Sequence, residues 1–91
     1  VPLYIADCDV PGITPEQVGH LVVRVRAACE ACSVQGIEVR HLSTFWVPAD
    51  EQLLVLFGAD SPEAVRTACW AASIPFLRVV EAVEVSGASG G

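Results

Sequence analysis

The chain repeats itself, and the repeat restricts the folds open to it. Thr14-Pro15-Glu16-Gln17-Val18 returns as Ser61-Pro62-Glu63-Ala64-Val65. Further on, Val25-Arg26-x-Ala28-Cys29-x-Ala31-x-Ser33 returns as Val65-Arg66-x-Ala68-Cys69-x-Ala71-x-Ser73. Each copy opens with a hydroxyl residue, a proline and an acid, the chemistry of a helix start. The hydroxyl accepts from an amide that has no partner within the helix, and the proline sits where no donor is needed. Gln17 supplies the second half of a capping box. Cap and apolar stripe lie seven residues closer together in the second copy, about two helical turns. The second helix is therefore expected to be the first with two turns removed.

The stripe of the first helix is Val18, Leu21, Val22, Val25, Ala28, Cys29 and Cys32, at i, i+3, i+4 spacing, stopping near Gly36. That of the second is Val65, Ala68, Cys69 and Ala72, ended by Ile74-Pro75. Four segments read as strands: residues 3–10, 37–47, 52–59 and 76–85. The first is broken by Pro11-Gly12, and a turn at Pro48-Ala49-Asp50-Glu51 separates the second from the third. Alternation in the second strand is clear from Ile37 to Arg40 and then blurs, which a bulge at His41 to Ser43 explains. The third strand is apolar on both sides, as a central strand covered twice would be. The order β-α-β-β-α-β is the split βαβ pattern. It predicts an α+β, ferredoxin-like domain over residues 1–85, a four-stranded antiparallel sheet with two helices on one face. Residues 86–91 read as a flexible Gly/Ser tail.

Two helices on one face leave the other face open. Leu3 and Ile5 point there from the first strand, opposite Tyr4, Ala6, Cys8 and Val10. Hydrophobic residues make up 53% of the 91, a large share for so small a chain to leave wet. The longest apolar run, Leu53 to Phe57, is far short of the roughly 18 residues of a membrane helix. A second copy of the chain is the expected cover, making a homodimer. Eleven acids against five basic residues give a net charge of −6. That repels phosphate backbones and anionic lipid, so neither nucleic acid nor a membrane is an expected partner. No charged stretch followed by an apolar run opens the sequence, and four cysteines suggest no disulfide framework, so the cytoplasm is the expected compartment.

Chemistry-bearing residues are few. Cys29 and Cys32 form a C-x-x-C, but in the last turns of a helix and on its core stripe. Reactive thiolates favour helix starts, and no second ligand pair completes a zinc site, so Cys29, Cys32 and Cys69 read as buried and inert. Asp7 and Asp9, two apart on a strand, point to one face. They suit a metal, or are a solvated strand end. His20 reads as a surface residue. His41, beside the expected bulge, is a ligand, a general base or a packed strand residue. Trp70 falls off its helix stripe and is expected to be exposed, at an interface or at the core's edge.

The segments Asp9-Val10-Pro11-Gly12-Ile13-Thr14-Pro15-Glu16, Ala59-Asp60-Ser61-Pro62-Glu63-Ala64-Val65-Arg66 and Ile74-Pro75-Phe76-Leu77-Arg78-Val79-Val80-Glu81 carry a resemblance. From Tyr4 to Val85 the chain resembles a family of small, largely uncharacterised bacterial ferredoxin-like domains that includes a nickel-binding member. The resemblance implies a ferredoxin-like homodimer and nickel binding in at least one relative. Members commonly carry an aromatic-Cys-x-Tyr-Glu-Ala-Pro run in the third strand. This chain has Leu54-Val55-Leu56-Phe57-Gly58-Ala59-Asp60, with Val55 at the Cys position and Gly58 at the Glu position. Any use of those two side chains is lost here.

Three functions follow as expectations. The first is a small dimeric binding protein for nickel, another divalent transition metal or a small ligand, with His41, Asp7 and Asp9 as ligands. The second is a cofactor-free oxygenase or isomerase with a cavity at the dimer's sheet face, His41 as base and Asp7 orienting it or acting as an acid. The third is a structural or regulatory module that docks a partner through Trp70 or the apolar face.

Overall fold

A computed structural model describes residues 1–85. Its elements are β1 (Leu3–Asp9), α1 (Pro15–Val34), β2 (Val39–Val47), a 3-10 turn (Pro48–Asp50), β3 (Gln52–Ala59), α2 (Pro62–Ala71) and β4 (Phe76–Ala82). The expected Gly/Ser tail lies outside the described residues. Both helix starts form as their cap residues dictate. Gln17 N donates to Thr14 Oγ1 at 3.2 Å, and Thr14 N donates to Gln17 Oε1 at 2.9 Å, closing the capping box. Ala64 N donates to Ser61 Oγ at 3.2 Å.

The strands lie in the order β2-β3-β1-β4, every neighbour antiparallel. This is the expected ferredoxin-like α+β arrangement. The molecule measures 37 × 36 × 19 Å. The short axis holds one helix layer and one sheet, each about 10 Å thick, and nothing more. Tyr4, Ala6, Cys8 and Val10 of the first strand segment meet Leu53, Val55, Phe57 and Ala59 of β3 on the helix side, all buried. Leu21, Val25, Cys29 and Cys32 of α1 and Ala64, Val65, Ala68 and Cys69 of α2 close over them. None of the described polar or charged residues is buried.

Three strands are shorter than the sequence predicts: the first ends at Asp9 rather than residue 10, and the other two are shortened for local reasons. The second begins at Val39 rather than residue 37, because the helix end uses the intervening residues. Gly36 takes the left-handed conformation (φ 82°), and Gln35 N and Ile37 N both donate to the Cys32 carbonyl. The fourth ends at Ala82 rather than residue 85, because Ala82 pairs with Leu3, the first residue of β1. The bulge in β2 is present: His41 pairs with Phe57 and Ser43 with Leu56, leaving Leu42 out of register. A second one interrupts β4, where Arg78 pairs with Asp7 but Phe76 pairs with Cys8, leaving Leu77 out.

Phe57 has no exposed surface, whereas Trp70 is 65% exposed, as its place off the stripe implies. Replacing Phe57 with alanine is expected to lower stability by about 3–5 kcal/mol in urea unfolding. Trp70→Ala is expected to cost about 1 kcal/mol or less, chiefly its contact with Phe76 at 5.8 Å between ring centroids. Equal losses for the two variants would place Trp70 in the core instead.

Candidate functional site

His41 is set by the bulge. Before it, Val39 and His41 face the helices; after it, Thr44 and Trp46 do. The extra residue therefore brings His41 and Thr44, three apart in sequence, onto one side, where Nε2 and Oγ1 lie 2.7 Å apart. The imidazole meets the Phe57 ring edge-on at 6.3 Å. Its pKa is lowered, first by burial and then by the Arg26 charge, while a hydrogen bond to the Ser43 backbone works the other way. A groove of about 570 Å³ runs beside it between α1 and β2.

Asp7 and Asp9 share the open side of the sheet, as their spacing predicts, but Asp7 is already engaged. Gln52 Nε2 donates to its Oδ1 at 2.8 Å, and Arg78 Nε donates to its Oδ2 at 3.4 Å. Asp7, Asp9, Asp50 and Gln52 line a small hollow at that end of the sheet. His41 is not part of it. The β1 residue level with His41, through Phe57, is Tyr4 rather than Asp7, and the His41 and Asp7 side chains face opposite sides of the sheet. Of the expected metal set His41, Asp7 and Asp9, the two aspartates stand together within one chain and the histidine stands apart. The same separation keeps Asp7 away from His41 within one chain. No group of three or more His, Cys, Asp or Glu among the described residues is placed to hold a metal ion.

All four cysteines are free and buried. Burial, and secondarily the Asp7 charge, pushes the Cys8 thiol up to about 12. Burial, then Cys8 and Cys29, pushes Cys69 to about 12. Cys29 rises to about 11 through burial and Cys32, against a hydrogen bond from the His41 backbone. These thiols stay protonated at neutral pH, which suits core packing and disfavours nucleophilic chemistry. His20 is exposed, as expected.

Sequence reasoning missed Thr44, Gln52 and Arg78 as partners of the site residues. Thr44 was reachable from the expected bulge, since one extra residue puts i and i+3 on the same side. Gln52 and Arg78 depend on the pairing register across three strands.

The lowered pKa of His41 predicts a linked loss of stability in acid. The unfolded chain takes up the proton near pH 6.5 while the folded chain still resists it. The contribution is complete above about pH 6.5 and is lost as pH falls through the folded value. NMR titration is expected to place His41 below 6.5, and Arg26→Gln to raise it by removing the second cause. A His41 titrating at or above 6.5 would contradict the packing described for it.

No family model matches the chain, and no curated protein matches it. Among solved structures it is similar to SCO4226 from Streptomyces coelicolor A3(2), with a TM-score of 0.75 and 16% identity over 92% of this chain and 99% of that one. At that identity the likeness speaks for the fold: nearly all of a separate protein superposes on the same four strands and two helices.

Proposed function

We propose that the chain works as a homodimer, two copies packed open sheet face to open sheet face, and that this dimer is a small binding protein. The observation that carries this is the composition of the open side. Leu54 of β3 lies between Phe45 of β2 and Asp7 of β1, and Leu56 between Ser43 and Ile5, with Val80 beside Ile5 and Ala82 beside Leu3 on β4. Leu42, displaced by the bulge, lies over Gly58 on the same side. Phe45 is 57% and Leu42 47% exposed in the single chain. A contiguous apolar face on a two-layer slab is the kind of surface that marks an interface. Both edge strands are interrupted by bulges, which blunt strand-to-strand pairing at the edges and leave the face as the surface for association. Burying it at roughly 25 cal/mol per Å² gives a driving force suited to a stable pair. The free thiols fit the reducing cytoplasm, and no described helix is long and apolar enough to cross a membrane.

Sedimentation is expected to give a dimer at micromolar concentration. Ile5→Glu is expected to give a folded monomer, because it puts a charge at the centre of the face without entering the helix-side core. A wild-type monomer at that concentration would end the proposal.

Nickel, or another divalent transition metal, is the second reading. It is favoured by the lowered His41 pKa, which keeps the imidazole neutral at pH 7, and separately by Asp9, which lines the hollow beside the engaged Asp7. Metal at a hundredfold over its Kd stabilises the native state by about 2.7 kcal/mol. Thermal unfolding of metal-free protein with added nickel reads this directly. His41→Ala and Asp9→Asn report which side of the sheet holds the ion, and an unchanged midpoint removes the metal from the proposal.

A further inference from the structure

Resting on the proposed face-to-face homodimer, we infer its orientation: the two-fold axis runs along the strands, so that β2 of each copy lies over β4 of the other, Arg40 meets the partner's Glu84 and Phe45 meets the partner's Arg78. The pairing register sets out the open side in rows across the sheet. At one end Val47 of β2 is level with Gln52 of β3 and Asp9 of β1. The next row is Phe45, Leu54, Asp7 and Arg78, and the next Ser43, Leu56, Ile5 and Val80. The last is Arg40, Gly58, Leu3 and Ala82. Glu84 follows Ala82 and lines a hollow of about 390 Å³ on this side with Leu3, Leu42 and Leu56.

The two edges of the open side carry complementary groups. β2 presents Arg40 and Phe45, and β4 with the residues after it presents Arg78 and Glu84. Arg40 and Glu84 are exposed and form no ion pair among the described residues. Phe45 is 57% exposed, and the Arg78 side chain, held by Asp7 through Nε, is 69% exposed. Three strand spacings, about 14 Å, separate β2 from β4, so neither pair closes within one chain.

Two copies packed face to face are related by a two-fold axis lying between the faces. Their strands are either nearly aligned or nearly crossed at right angles. Crossed packing, about one diagonal or the other, brings Arg40 to the partner's Arg40 or to the partner's Arg78, like charge against like. Aligned packing about an axis across the strands lays each edge on its own copy. Arg40 then falls on the partner's Val47, and Asp9 comes to rest on the partner's Leu3, an exposed carboxylate desolvated without a partner. Aligned packing about an axis along the strands keeps the rows level and exchanges the edges. Arg40 falls on the partner's Ala82, one step from the partner's Glu84. Phe45 falls on the partner's Arg78, the arrangement of a cation–π pair. Leu56 falls on the partner's Ile5 at the centre, and Asp9 on the partner's Gln52 at a polar rim. Asp7 falls on the partner's Leu54 with both its oxygens already engaged in its own chain. The symmetry makes each contact twice.

The test is sedimentation equilibrium on charge reversals in the full chain, with isotope-filtered NMR on mixed labelled and unlabelled protein. Arg40→Glu alone and Glu84→Arg alone are each expected to weaken the dimer by about tenfold or more, since each sets like charges against each other twice. Arg40→Glu with Glu84→Arg in one chain is expected to restore most of that loss. Both side chains are exposed, so the variants retain the fold. The NMR experiment is expected to show the Phe45 ring in contact with the side chain of the partner's Arg78. Single reversals that leave the dimer at wild-type strength, a double variant no tighter than the singles, or Phe45 contacts to the partner's β2 would overturn the inferred orientation while the homodimer stands. A wild-type monomer would end both.

Discussion

The structure depends on a sheet with one helix layer and no second. Everything that holds the single chain together lies between the inner sides of β1 and β3 and the two helices. Small residues make that contact close. α2 meets the sheet through Ala64, Ala68, Cys69 and Ala72, and β1 answers with Ala6 and Cys8. With no polar side chain among the described residues buried there, the layer is held by packing and by removal of apolar surface from water. The same constraint leaves the outer sides of the same strands in contact with solvent, although β3 carries leucines there as well. β3 is apolar on both sides, with one side under the helices and the other, carrying Leu54 and Leu56, turned away from them.

Desolvation decides which of the chemistry-bearing residues are inert. The C-x-x-C of α1 has the spacing of a redox or metal motif, but it sits far from the positive helix end and inside the core. The thiols of Cys8, Cys29 and Cys69 are accordingly pushed up, not down. His41 responds to the same cause with the opposite sign of charge, since burial disfavours the imidazolium as it disfavours a thiolate. One physical effect therefore keeps three thiols protonated and favours the neutral imidazole. This distinguishes the half-buried face beside α1 from the carboxylate-rich end of the open side.

The local parts of this fold were legible in the sequence because local chemistry determines them. Thr14 and Gln17 form the capping box their spacing announces, the two helix stripes face the core with Val18 and Val22 only half-buried, and the bulge falls where alternation blurs. What was not legible depends on register between distant segments. Asp7 and His41 are both on strands and both polar, and nothing local reveals that β3 stands between them. The pairing of His41 with Phe57 and of Phe57 with Tyr4 sets the level, and the phase of each strand sets the side. Strand ends erred for a related reason. Residues 37 and 38 have strand-like chemistry, but the amide of Ile37 is taken by the Cys32 carbonyl of the helix end. The residues after Ala82 keep alternating after β1 has ended.

The polar end of the open side bears on whether that side tolerates a cover. Burying a charge is expensive when its partner is missing and far less so when its bonds are already made within the same chain. Asp7 is 15% exposed, and each of its oxygens is engaged, one by Gln52 and one by Arg78. Most of its desolvation has already occurred in the single chain. Arg78, 69% exposed, lies on an edge strand where its guanidinium keeps access to solvent at the rim of an interface. A second copy laid on Leu54, Leu56 and Ile5 would thus meet an apolar band bordered by a carboxylate that needs nothing from it. That arrangement allows the apolar surface to set the free energy of association, with the charged end fixing orientation more than strength.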